Sequence, residues 1–143
     1  MVEDELKYTE DQRREYLNMI DRVGRNWLEV FEGDSDFYST AYWDLLTGIW
    51  KQGGEARKTD ATRLMLGIKS AQTASKYLET AIERGFLLEK ENPKDARSRL
   101  VALTAKMKSK LDLFFDKAVT ELKVSSEQVR AKEPLSVDPR PTT

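Results

Sequence analysis

The sequence contains no cysteine and no histidine. Without cysteine there is no disulfide, no thiolate metal site and no thiol redox switch. Without histidine most zinc sites and the usual general base of a hydrolytic triad are gone. No stretch approaches the roughly 18 consecutive apolar residues of a membrane helix. The opening Met-Val-Glu-Asp-Glu-Leu is acidic and lacks an apolar core, so it does not read as a secretory signal. A cytoplasmic chain with no membrane partner is expected. No carboxylate pair is tied to a pocket pattern either, so neither an enzyme nor a cofactor or metal is expected. Internal repeats are absent.

What is present is charge, at 34% of 143 residues, with a net value of only −1. The two signs are segregated. Residues 56–110 hold thirteen Lys and Arg against six Asp and Glu, a balance of +7. Residues 1–55 hold six against thirteen, a balance of −7. A basic segment between acidic flanks suits a module that faces a polyanion.

Periodicity gives the elements. Thr9 and Gln12 form a capping box ahead of a helix to about Phe31, with Tyr16, Ile20, Val23, Trp27 and Val30 on one face. A second helix, about Thr40 to Lys51, ends at Gly53-Gly54. Thr59 or Asp60 then starts a short helix through Leu66, and Gly67 makes a turn. Ser70 caps a third amphipathic helix that Gly85 stops. Two short helices joined by a tight turn are a helix-turn-helix. Phe86–Glu91 and Arg99–Leu103 read as strands around the turn Asn92-Pro93-Lys94-Asp95. Thr104 caps a last helix, with Met107, Leu111, Phe114, Phe115, Ala118 and Leu122 on one side. From Ser125 the chain turns polar and then proline-rich, and disorder is expected there.

The organisation predicted is therefore N-terminal helices over 1–55, a winged helix-turn-helix over 56–104, a C-terminal helix over 105–124 and a disordered tail over 125–143. The fold class is mainly α with a small antiparallel β-hairpin. A helix fits the major groove, where base edges display a full donor and acceptor code, and an arginine-bearing hairpin tip reaches phosphates or the minor groove beside it.

The run Asp95-Ala96-Arg97-Ser98-Arg99-Leu100-Val101-Ala102-Leu103-Thr104 resembles the wing signature of MarR-type transcriptional regulators. Thr73–Glu79 followed by Glu83-Arg84-Gly85-Phe86-Leu87 resembles that family's recognition helix and its glycine exit. The resemblance implies a homodimer built from the first and last helices, bound to a palindromic double-stranded DNA operator, usually as a repressor. It further implies that Arg97 enters the minor groove and that Asp95 holds it in place. The sequence departs from the family at Ala96, often basic there, and at Lys106-Met107, where a glycine is usual. Its last helix also reads as short.

The expected DNA-binding residues are Lys69, Ser70, Gln72, Thr73, Ser75 and Lys76 on the recognition helix, and Lys94, Arg97 and Arg99 on the wing. Gln72 suits adenine, Lys76 guanine or phosphate, and Ser70 a phosphate at a helix N-terminus. The aromatic cluster between residues 27 and 50 has two readings. One is a dimer core; the other is a pocket for a small aromatic or anionic effector, lined by Trp27, Tyr38, Tyr42 and Trp43. The rival to DNA binding is a winged helix used for protein–protein interaction, which would ordinarily lack the basic wing tip kept here.

Overall fold

The computed structural model describes residues 5–134, and expectations for 135–143 lie outside them. Two units are distinguished: 27–114, and 1–26 together with 115–143.

In the second of these, the first helix, α1 (Glu10–Val30), begins at the expected capping box. Gln12 N donates to Thr9 Oγ1 at 3.1 Å, and Thr9 N donates to Gln12 Oε1 at 2.9 Å. Gln12 also donates through Nε2 to the Val129 carbonyl at 3.1 Å, on the last helix, α5 (Ala105–Ala131). The expectation of disorder from Ser125 is therefore corrected: the helix continues to Ala131. Residues 126–131 contain no glycine or proline, and Ser125 is buried against α1, so packing extends a helix that composition alone would end.

The buried side of this helix pair is polar. Gln12, Glu15 and Ser125 are buried beside Met19. Ser125 Oγ donates to Glu15 Oε2 at 3.0 Å, Arg22 lies 3.6 Å from the same carboxylate, and Arg22 also pairs with Glu121. The apolar stripe of α1 divides: Trp27 and Val30 are buried, whereas its first half faces solvent. Tyr16 is 59% and Ile20 41% exposed, and Leu17, Val119, Leu122 and Val124 are exposed too. Periodicity reveals which residues share a face, but not which face has a partner within the chain.

The Ser125 hydroxyl, then Lys132 and Arg22, hold the Glu15 carboxyl below its usual value of 4.5 despite burial. A depressed carboxyl pKa stabilises the fold above the unfolded value and loses that contribution as pH falls through the folded one. Glu15→Gln should thus be less stable than the native chain at pH 7. The gap should close as pH falls below 4.5. Urea midpoints at several pH values measure it, and a gap constant down to pH 3 would remove Glu15 from the acid sensitivity.

In the unit 27–114, α2 (Thr40–Lys51) is capped by Ser39 and buries Leu45, Leu46 and Ile49. Gly53 and Gly54 both adopt φ +94°, the left-handed region that glycine enters without a Cβ clash. They turn the chain into a strand the sequence does not reveal, β1 (Glu55–Arg57). Only Ala56 of its three residues is buried, too short a pattern to show a period. β1 pairs antiparallel with β3 (Arg99–Leu103), which pairs with β2 (Leu87–Glu91), so the expected hairpin is two-thirds of a sheet ordered β1-β3-β2.

Helix α3 (Lys58–Thr62) starts earlier than expected. Its N-cap is Arg57, which makes no side-chain cap bond, so neither Thr59 nor Asp60 caps it. Helix α4 (Ala71–Glu83) starts as expected: Ser70 Oγ accepts from Thr73 N at 3.3 Å, and Ala74, Leu78 and Ala81 are buried. Gly85, at φ +79°, ends it. Thr104 caps α5 through Met107 N and donates to the Gly85 carbonyl at 2.8 Å, joining the α4 exit to the sheet end.

Candidate nucleic-acid interface

An open groove of about 960 Å³ runs between α3, the front of α4 and the wing. Of the residues expected to bind DNA, it brings together Lys69, Ser70, Ser75, Arg97 and Arg99, with Asp95 beside them. Gln72, Thr73 and Lys76 lie outside its lining, exposed on α4. The front of α4 thus presents the polar side chains of Gln72, Thr73 and Lys76 to solvent. Lys94 belongs elsewhere: it lines a second groove of about 860 Å³, beside β1 and the wing turn.

Local polar chemistry shapes the wing tip. Asn92 Oδ1 accepts from Lys94 N at 3.0 Å, and Asn92 Nδ2 donates to Ser98 Oγ at 2.8 Å. Asp95 Oδ1 accepts from Arg97 N at 3.0 Å. Asp95 therefore grips Arg97 by its main chain, as an Asx turn does. The Arg97 guanidinium is exposed and forms no ion pair among the described residues.

Arg99 differs. Its Nε donates to Glu89 Oε2 at 2.8 Å, so its charge is partly balanced inside the wing. Glu89 Oε1 also accepts from Lys58 Nζ at 2.6 Å, and Lys58 lies 2.7 Å from Glu79 on α4. These partners push the Lys58 ammonium pKa up, Glu79 first and Glu89 second. They pull Glu89 below its usual value, Lys58 first and Arg99 second. The sequence reading misses Lys58, Arg57 and Arg63 on this groove. Arg57 and Arg63 counted toward the basic segment, but no periodic pattern placed them. Both now flank Asp60, at 3.7 and 3.6 Å.

The four residues expected to line an effector pocket border neither of these two grooves. Trp27 and Tyr42 are buried in a chain of ring contacts: Trp27 meets Phe31 at 5.0 Å and Trp43 at 4.9 Å, and Tyr42 meets Phe37 at 5.0 Å. Tyr38 is 56% exposed and makes no ring contact among the described residues. Edge-to-face pairs of this kind fill a core. The buried Trp27 indole N–H has no hydrogen-bond acceptor among the described residues.

Among the described residues, five α-helices and a small three-stranded antiparallel sheet make a winged-helix fold. A transcriptional regulator from Thermotoga maritima superposes with a TM-score of 0.56 at 20% identity, covering 80% of this chain and 78% of that one. A mutant MarR from E. coli complexed with operator DNA gives 0.50 at 17% identity, covering 84% and 83%. A MarR family regulator from Streptomyces coelicolor in complex with DNA gives 0.50 at 15%, covering 86% and 78%. No protein-family model and no curated protein matches the chain. Among the described residues no helix is long and apolar enough to cross a membrane.

Proposed function

We propose that this protein is a homodimeric, cytoplasmic transcriptional repressor that binds a palindromic DNA operator, with α4 in the major groove and the wing tip at the minor groove or backbone. The observation that carries this reading is the groove itself. An exposed, polar helix front lies across it from an arginine held on a structured turn by its main chain, with its guanidinium unpaired. Two solved structures of this fold hold DNA, which supports the same reading. Homodimerisation is supported by the exposed Tyr16, Leu17, Ile20, Val119 and Leu122. Control by a small aromatic or anionic effector is supported only by the aromatic cluster and the unpaired Trp27 N–H.

Arg97→Ala and Gln72→Ala test the mechanism on a duplex selected by the native protein from a random-sequence pool. Losing a phosphate or minor-groove cation should weaken binding to every duplex and flatten the salt dependence by roughly one unit of slope. Losing a base-reading amide should cost about 1–3 kcal/mol on the selected duplex and little on scrambled DNA. If Arg97→Ala changes neither affinity nor slope on any duplex, the wing is not a DNA element and protein–protein interaction becomes the better reading.

A further inference from the structure

The Lys58 ammonium stands between two carboxylates from different elements: Glu79 of α4 at 2.7 Å and Glu89 of β2 at 2.6 Å. Glu89 in turn holds Arg99 of β3 at 2.8 Å. Three ion pairs thus run from the middle of α4, through the first residue of α3, to both strands of the wing. The two pairs made by Lys58 span more than twenty residues, whereas Glu89–Arg99 lies within the β2–β3 hairpin.

Many cations of the basic segment are ion-paired, and two features of Lys58 bear on its role. It is the first residue of α3, next to an N-cap without a side-chain bond. A cation is unfavourable at a helix N-terminus, so its tertiary partners, not the helix, account for its placement. It is also electrically spent. Lys58 and Arg99 face Glu79 and Glu89, two charges against two, whereas Arg97 faces none. A phosphate approaching Lys58 would have to displace two carboxylates and would meet both of their charges.

We infer that Lys58 is a positioning residue rather than a DNA contact: it clamps α4 to the wing through Glu79 and Glu89 and so sets how helix and hairpin are spaced on the duplex. This rests on the DNA-binding reading above. Exposed pairs add little stability one by one. A cation shared between two elements instead fixes geometry, and recognition depends on supporting residues that hold the contacting ones in place.

Because the chain has no cysteine, a nitroxide at Ala96→Cys reports wing motion alone. Lys58→Met should sharpen its spectrum toward greater mobility in the free protein, and Lys58→Arg should restore the native line shape. On the duplex selected by the native protein, Lys58→Met should bind roughly ten- to hundredfold more weakly, the worth of one misplaced base contact. The salt slope should stay unchanged, and Lys58→Arg should recover most of the loss. A slope lower by about one would make Lys58 a phosphate contact and overturn the inference. Unchanged mobility together with unchanged affinity would overturn it as well. If the native protein selects no duplex, the DNA reading falls, and the label alone decides whether Lys58 positions the wing. Circular dichroism of both variants checks that they fold.

Discussion

Glutamate at both Ile20 and Leu122 will split the proposed dimer and weaken binding to a two-half-site duplex by roughly 10²–10⁴-fold, the advantage lost when two linked contacts become one. Ile20 is 41% and Leu122 57% exposed, so neither supports the folded chain from inside. Both belong to the unit whose intrachain seam is polar, made by Gln12, Glu15 and Ser125. A helix pair that buries its polar residues and exposes its apolar ones is inverted relative to a solvated surface helix. A second copy would cover such a face, and two buried glutamates there would leave unpaired charges in an apolar contact. Glutamate is a good helix former, so the secondary structure should survive. Sedimentation equilibrium at micromolar concentration should give twice the chain mass for the native protein and the single mass for the variant. A variant that stays dimeric would place the interface elsewhere, and a monomeric native protein would end the dimer reading.

Leu78→Ala should cost about 2–5 kcal/mol of unfolding free energy, the range for a buried leucine cut to alanine. Leu78 is 1% exposed on the inner face of α4, the helix whose outer face carries Gln72, Thr73 and Lys76. The lost methyl groups leave a cavity where α4 packs on its neighbours, so stability and the placement of the recognition surface suffer together. Urea denaturation should show a lower midpoint with an unchanged slope. A loss below about 1 kcal/mol would mean that the site collapses around the smaller side chain.

The legible parts of this molecule are those whose causes lie within a few residues. The Thr9–Gln12 box, the Ser70 and Thr104 caps and the Gly85 stop each form bonds within three or four positions or exploit one residue's backbone freedom. The wing turn is equally local, since Asn92 and Asp95 bond amides two residues ahead. Basic segregation could likewise be counted without coordinates. Other features have distant causes. β1 exists because Glu55–Arg57 finds β3 more than forty residues later. The helix past Ser125 persists because Glu15 and Gln12 meet it from the other end of the chain.

The candidate site divides the same way. Residue type and spacing single out Arg97 and Gln72, and the structure leaves both exposed. Arg99 has the same chemistry as Arg97 and lies two positions away, yet Glu89 claims it. Nor could spacing separate Lys94 from the groove or draw Lys58 toward Glu79 and Glu89. By itself, then, the sequence determined most of the elements, the caps at Thr9, Ser70 and Thr104, the turn that makes the wing and the basic character of one segment, because short-range hydrogen bonds and side-chain periodicity act along the chain. Tertiary structure alone decided which apolar face stays open, where the last helix ends and which cations remain free, because an ion pair or a buried face depends on what folding brings beside it.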